Sequence, residues 1–326
     1  MIGSEHTEED RIMSEVILFG EPMVMFVADE TGDLADVSRF EKLLAGAEVN
    51  VAIGLRRLGH TVSYVTKLGD DPFGHYIEKK LNSEGLDARI TYDKEHFTGF
   101  QLKSKVEEGD PEVCYFRKNS AASHITEEEI GRIDFTGARI LHITGIPPAL
   151  SMSCRDATYR LIDEAKAHGM IVSFDPNLRP SLWETEEAMI RTINDLASKA
   201  DLVLPGVGEG KILMGSDVPE EIAAYYRSLG AGTVIVKSGS KGAYVDSDMQ
   251  KGYSAPYHVE KVVDTVGAGD GFAVGVLSAI LEGLSIGEMA SRGNAIGAIQ
   301  VMHKSDNEGL PDREKLAEFM KEREQG

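Results

Sequence analysis

Short apolar runs recur along the chain, each followed by a stretch of helical spacing or a cluster of turn residues. Val16–Phe19, Val62–Lys67, Ile140–Thr144, Ile171–Phe174, Leu202–Leu204 and Val234–Lys237 have the length and apolar character of buried strands. Asn50–Leu58 has helical spacing and stops at Gly59. Another helix starts at Asp71-Pro72, where proline suits the first turn, and ends near Gly85. Buried strands alternating with helices predict an α/β fold, a parallel sheet covered on both faces. One region departs from this rhythm. Thr98–Val106 and Glu112–Arg117 are strand-like and flank the polar turn Glu107–Pro111, a hairpin signal that does not suit a parallel core. Met23–Ala28 either continues the first strand or pairs with it. Segments within about 21–45 and 95–118 together predict a small separate sheet, a lid that excludes water from a ligand edge. Residues 1–14 read as a mobile tail and residues 15–326 as one domain without repeats or low-complexity linkers.

Charge narrows the partners. The 326 residues carry 34 Lys and Arg against 54 Asp and Glu, a formal charge of −20. That excess argues against nucleic acid and against a polybasic membrane contact. Runs such as Glu127–Glu129 and Glu184–Glu187 read as solvated helix faces. The apolar stretch Val16–Ala28 is broken by Gly20-Glu21-Pro22, follows an acidic start and falls short of a membrane span. Cys114 and Cys154 stand in no metal-like spacing and read as reduced core thiols of a cytoplasmic protein. The nine histidines form no ligand cluster, which argues against zinc.

Four segments carry candidate chemistry. Asp264-Thr-Val-Gly267-Ala268-Gly269-Asp270-Gly271 leads into the apolar stretch Phe272–Leu281. Small residues at a helix start suit an anion, with Asp270 placed to receive a proton, or else form a plain turn capped by Asp270. Lys237-Ser238-Gly239-Ser240-Lys241-Gly242 is either a phosphate-binding loop or a strand-to-strand turn. Asp175-Pro-Asn-Leu-Arg179 follows a strand, where α/β sheets bind ligands, or is a proline-fixed surface turn. Strand alternation places Tyr115 and Arg117 on one face of the hairpin, aimed at a ligand if the hairpin is a lid and into solvent otherwise. Two glycine strings fail their tests. Pro205 and Ile212 break the P-loop pattern, while Phe272 and Lys211 break the two dinucleotide patterns. A P-loop NTPase and an NAD-dependent oxidoreductase are therefore disfavoured.

In this order, the segments resemble the PfkB (ribokinase-like) family of carbohydrate kinases, from about Glu15 to Met320. Gly46-Ala-Glu-Val-Asn50, Arg57-Leu-Gly59 and Leu68-Gly-Asp-Asp-Pro-Phe-Gly74 match the family's N-terminal signature, and Asp264–Asp270 its C-terminal one. Within the family, Gly20-Glu21-Pro22, Tyr115–Ser123, Ile140–Ser151, Asp175–Trp183 and Ser305–Pro311 are most similar to 2-keto-3-deoxygluconate (KDG) kinases. The resemblance implies a Rossmann-like three-layer αβα ribokinase-like domain with a small β-sheet lid. It also implies ATP-dependent phosphorylation of a sugar acid with Mg²⁺. The alternatives are a neutral-sugar kinase such as a fructokinase, or a catalytically silent sugar-acid sensor.

The resemblance also implies roles. Asp270 is the expected base, with Gly267, Ala268 and Gly269 forming an anion hole. Gly46 and Asn50 hold substrate hydroxyls, and Tyr115, Arg117, Arg179 and Asp306 surround the sugar acid. Lys237, Ser238, Gly239 and Gly242, with Gly267 and Gly269, border the ATP phosphates, and Asn294 lies near the adenine. Glu209 matches an acidic position associated with a magnesium-bound water, although Gly206 replaces the family's usual Asn before it. Ala45 replaces a frequent glycine before Gly46. Asp264 matches a position linked to a monovalent cation in some members. A homodimer or higher oligomer through the lid is a further expectation, because exposed sheet edges invite pairing.

Overall fold

The protein is described by a computed structural model covering residues 13–106 and 111–324. Its strands in chain order are β1 (Val16–Phe19), β2 (Met23–Thr31), β3 (Phe40–Ala45), β4 (Val62–Gly69), β5 (Asp87–Asp93), β6 (Phe100–Lys105) and β7 (Val113–Phe116). They continue with β8 (Ile140–Thr144), β9 (Ile171–Asp175), β10 (Leu202–Val203), β11 (Thr233–Lys237), β12 (Ala243–Ser247) and β13 (Lys251–Ser254). Nine form one sheet in the order β13-β12-β11-β10-β9-β8-β1-β4-β5. Pairing is parallel from β11 to β5, and Val16 of β1 lies opposite both Val62 and Ile140.

Strand β1 shows why its four residues are all apolar. Val16 and Leu18 pack into the core formed with the Ala47–Arg57, Ala268–Leu281 and Ile286–Gln300 helices. Ile17 and Phe19 point the other way, into the core formed with the Met152–Ala167, Glu186–Ser198 and Pro219–Ser228 helices. A period of two with both faces covered requires a continuous apolar run. The Ala268–Leu281 helix is buried around nearly its whole circumference. That explains why the stretch after Asp270 is apolar without a polar face.

The helix predicted from Asp71 begins at Pro72, with the Asp71 carboxylate accepting from the Phe73 and Gly74 amides at 2.9 and 2.8 Å. The predicted hairpin is present as β6 and β7, antiparallel, and belongs to a four-stranded sheet of order β3-β2-β6-β7. Its turn residues 107–110, like residues 1–12 of the predicted tail, lie outside the described residues.

Several readings change. Met23–Ala28 neither extends β1 nor pairs with it; it opens β2, which runs on to Thr31 in the small sheet. The large sheet is not wholly parallel, because β11-β12 and β12-β13 are antiparallel hairpins at one edge. Tight turns permit such hairpins, whereas parallel neighbours need a crossover. Cys154 is a core thiol, but Cys114 is half-exposed on β7 of the small sheet. Glu127–Glu129 and Glu186-Glu187 occupy first turns capped by Thr126 and Thr185. There they complement the positive end of the helix dipole.

Chain direction places the site. From β1 the sheet grows one way through β4 and β5 and the other way through β8 to β11. Parallel sheets leave a crevice at the carboxyl ends of strands beside such a reversal. The segments after β1, β8, β9, β10 and β11 all line a cavity there, and the small sheet forms its opposite wall.

Candidate active site

Two cavities meet at the start of the Ala268–Leu281 helix. The first, about 460 Å³, carries many charged side chains and is lined by Gly46, Asn50, Tyr115, Arg117, Arg179 and Asp306 together with Gly267, Gly269, Asp270 and Glu209. The second, about 840 Å³, is largely apolar and is lined by Gly239, Gly242, Ala268, Phe272, Asn294 and Val301 among others. Lys237, Thr265 and Gly269 border both. Of the predicted site residues only Ser238 lines neither, but it follows Lys237 directly and its buried Oγ lacks a hydrogen-bond partner.

The helix start is built for close approach. Gly267 has φ +80, and a Cβ there would lie 2.6 Å from the Asp306 carbonyl oxygen. No side chain fits that position, so the Asp306 segment packs directly on the turn. The Gly271 amide donates to the Gly267 carbonyl at 2.8 Å. The amides of Gly269 and Asp270 precede that first helical bond and sit at the junction of the cavities. Together with the unpartnered Ser238 hydroxyl and Lys237, they suit a polyphosphate. The apolar second cavity suits a flat ring system, although Asn294 is not free within it: its Nδ2 donates to Ser254 and Ala255 carbonyl oxygens at 3.2 and 3.1 Å.

Asp270 is buried and held from two sides. Asn50 Nδ2 donates to Oδ2 at 2.8 Å and Asn177 Nδ2 to Oδ1 at 3.3 Å. Asn177 reaches it from a left-handed backbone conformation, φ 38. Asn50 is itself fixed by Asn307, whose Nδ2 donates to Asn50 Oδ1 at 3.1 Å. Burial raises the Asp270 carboxyl to about 6, against the opposing pull of the Asn50 hydrogen bond; Asp175 raises it further, Arg179 lowers it and Asp306 raises it. Desolvation therefore outweighs the Asn50 hydrogen bond, and the carboxyl lies in the range useful to a base.

The cations are arranged unequally. Arg117, buried at 5% exposure, is paired with Glu21: its Nε donates to Oε2 at 2.7 Å and its Nη2 to the same oxygen at 2.5 Å. Lys237 Nζ donates to Asp175 Oδ2 at 2.6 Å. Burial acts to lower the Lys237 pKa, but the attraction of Asp175 and Glu209 prevails and raises it. Lys103, on β6, bridges Asp264 at 2.5 Å and Asp306 at 3.4 Å. Arg179 alone among these four has no carboxylate within salt-bridge distance among the described residues; its Nη1 donates to the Leu178 carbonyl at 2.9 Å.

Metal chemistry has little protein support. Among the described residues no three acidic, His or Cys side chains cluster as a metal site. Glu209 accepts from the Gly206 and Leu178 amides at 2.7 and 2.9 Å, which fixes its carboxylate on the cavity wall. This donor set fits a metal held mainly by phosphates and water. Asp264 is committed on both oxygens, to Lys103 and to the Val266 amide at 3.0 Å, so it does not fit a monovalent cation unless Lys103 leaves.

Sequence reasoning assigned no role to Glu21, Glu48, Lys103 or Asn307, and placed Asp175 and Asn177 in a candidate segment without their roles as a tether and as a donor to Asp270. Glu21, Glu48 and Asn307 lie within quoted motif strings, whose spacing does not say what each side chain meets. Lys103 shows no local signal, because a lysine in an alternating strand ordinarily faces solvent.

Residues 13–313 match the model of the pfkB family carbohydrate kinases. The chain is 51% identical to the 2-dehydro-3-deoxygluconokinase of Bacillus subtilis (strain 168), covering 94% of this chain and 95% of that protein. It is 31% identical to fructokinase-2 of Solanum lycopersicum, covering 94% and 96%. The crystal structure of a PfkB protein from Polaromonas sp. JS666, 46% identical, superposes with a TM-score of 0.85 over 94% of this chain and 99% of that one. A fructokinase from Vibrio cholerae O395 with bound fructose, ADP and calcium ion is 27% identical, with a TM-score of 0.84 over 94% and 99%.

Proposed function

The chain belongs to the pfkB family of carbohydrate kinases, and on that premise we propose that it transfers the γ-phosphoryl group of ATP to 2-keto-3-deoxygluconate (2-dehydro-3-deoxygluconate), giving 2-keto-3-deoxy-6-phosphogluconate. The observation that carries the choice of substrate is Arg179. It is a cation with no carboxylate within salt-bridge distance among the described residues, on the wall of a polar cavity that also holds Asp270. A sugar acid supplies the missing carboxylate and can meet a guanidinium through two parallel hydrogen bonds. A neutral sugar leaves that charge unmet.

In this reading the sugar acid occupies the 460 Å³ cavity and ATP the 840 Å³ one, with the γ-phosphoryl group at their junction. Asp270 accepts the proton of the attacking hydroxyl. The new O–P bond forms as the bond from the γ-phosphorus to the β,γ-bridging oxygen breaks; ADP leaves, and Asp270 returns its proton to water. A base near 6 is mostly ionised at neutral pH and so ready to accept. The amides of Gly269 and Asp270, with Lys237, face the negative charge spread over the transferring group without having to reorganise; the Ala268 amide, expected in the anion hole, already donates to the Thr265 carbonyl at 3.4 Å. Magnesium, when bound with the nucleotide, neutralises phosphate charge, and Glu209 is the wall carboxyl placed to reach it through water. The small sheet acts as the lid, bringing Tyr115, Arg117 and Lys103 over the sugar acid.

The test is ADP release with KDG, its galactose-derived epimer, gluconate, fructose and ribose, on wild type and Asp270→Asn. Turnover highest with the two keto-deoxy acids and abolished by the substitution supports the reading. Fructose as the best acceptor replaces it with a fructokinase. Ligand binding without turnover of any sugar replaces it with a sensor.

A further inference from the structure

The charges around the sugar-acid cavity do not balance. Six carboxyl groups line it: Glu21, Glu48, Asp175, Glu209, Asp270 and Asp306. Four basic groups face them. Three of these are spent, on Glu21, on Asp175, and on Asp306 together with Asp264. Arg179 remains, and the preceding reading assigns it to the substrate carboxylate. Glu48, Asp270 and Glu209 are then left with no basic partner within salt-bridge distance among the described residues.

These three are not equally supported as anions. Glu209 receives two backbone amides, and Asp270 two side-chain amides. From other residues Glu48 receives one hydroxyl, Thr144 Oγ1 at the end of β8, beside its own backbone amide, and is 1% exposed. The Ile146 amide donates to that same hydroxyl at 3.0 Å, which turns the Thr144 proton toward Glu48 Oε1. The other oxygen, Oε2, lies against Gly20, where no Cβ fits. The charged and titratable groups around Glu48 are Asp270 from the long buried helix, Arg117 beyond β7, and Tyr64 from β4. Arg117 is already neutralised by Glu21, and the Tyr64 hydroxyl is fully buried. A second charge entering this cavity raises the cost of every buried anion already there, most for the one to which neighbouring residues donate least.

Resting on the KDG reading, we infer that Glu48 takes up a proton when the sugar acid binds, so that an anion enters a net-acidic cavity without adding a charge. Glu48 is then a positioning and specificity residue: it makes affinity for an anionic sugar depend on pH and leaves a neutral sugar indifferent. Burial already raises its carboxyl to about 7, with the Thr144 hydrogen bond opposing. At pH 7 the free site is about half-protonated there, so binding draws in up to about half a proton, and more at higher pH while the bound site keeps it.

Calorimetry of KDG binding without nucleotide, at pH 7 in two buffers of different ionisation enthalpy, measures this uptake. Wild type is expected to show an uptake of about half a proton. Glu48→Gln, which keeps an acceptor for Thr144, is expected to show almost none, while Asp270→Asn retains it. In kinetics, the KM for KDG should rise above pH 7 in wild type and stay level in Glu48→Gln. Uptake that persists in Glu48→Gln, or that disappears in Asp270→Asn alone, overturns the assignment. Should Glu48→Gln not fold, the wild type decides: uptake must change with pH about a midpoint near 7, and uptake constant from pH 6 to 8 overturns it. Saturable heat that is identical in both buffers defeats this inference alone. Absence of any heat with KDG, alongside turnover of another sugar, defeats the substrate reading and this inference with it.

Discussion

Replacing Asn50 with Ala removes the shorter of the two hydrogen bonds that hold Asp270, the 2.8 Å donation from Nδ2 to Oδ2, and leaves the 3.3 Å contact from Asn177. An amide N–H stabilises the carboxylate far more than the acid. A hydrogen bond to a charged acceptor contributes roughly 1.5–3 kcal/mol. At about 1.4 kcal/mol per pH unit, its loss raises the carboxyl by about one to two units. Starting from about 6, where burial already outweighs this donation, Asp270 moves to about 7 or 8. A base must be ionised to act, so activity falls below its pKa and the acid limb of the profile moves upward. The assay is ADP release across pH 5–9, taking kcat/KM because its limbs report the free enzyme. Asn50 also borders the sugar cavity, so the overall rate drops as well; only the position of the limb tests the electrostatics. A Glu48→Gln background removes the alkaline limb expected from that neighbour. A limb unmoved by Asn50→Ala would refute the claim that this amide holds the anion. A wild type with no acid limb between pH 5 and 7 would refute Asp270 as the titrating base.

Arg179→Ala should raise the KM for KDG by about 10- to 100-fold, the loss of a charge-assisted contact, with the KM for ATP nearly unchanged; unchanged KDG kinetics would end the carboxylate role. Asp270→Asn should make the inactive protein more stable at pH 7.5. The folded carboxyl sits at about 6 against 3.8 for an unperturbed aspartate, so its contribution is intact below about 4 and declines as pH rises to 6. Above that it costs about 3 kcal/mol, a rise of several degrees in Tm for the Asn variant that vanishes at pH 4. A Tm lowered at pH 7.5 would contradict the burial argument. Lys103→Met leaves Asp264 and Asp306 buried without their cation, a loss of about 3–5 kcal/mol in urea unfolding at pH 7.5 that shrinks in acid as Asp306, already raised by burial, protonates; a neutral effect would show the bridge contributes nothing to folding.

Much of the architecture was legible in the residues themselves. Short, mostly apolar runs bounded by breakers marked β1, β8, β9 and β11, because a strand covered on both faces admits a polar residue only where a partner satisfies it. Asp71-Pro72 marked a helix start through the cap its carboxylate makes two and three residues on. The small residues of Gly267–Gly269 marked a close backbone approach, now seen against Asp306. These signals are local: they depend on dihedral freedom, capping and a period of two or 3.6. The second sheet was only partly visible, because β2 and β3 have one covered face and weak alternation.

The electrostatics were not legible, and for a physical reason. Whether Arg117 is a free cation depends on Glu21, 96 positions away; whether Lys103 is solvated depends on Asp264, 161 positions away; and Asn50 meets Asp270 across 220. No local pattern encodes such pairs, since a charged side chain has the same strand or helix propensity whether or not its partner arrives. The chain's own order of residues determined the layers, the strand ends that face the site and the identity of the candidate base. Only the tertiary structure decided which charges cancel, which one stays open for an anion, and that a carboxyl placed at a helix start titrates near neutrality, because desolvation and pairing are set by what the fold brings within a few ångströms.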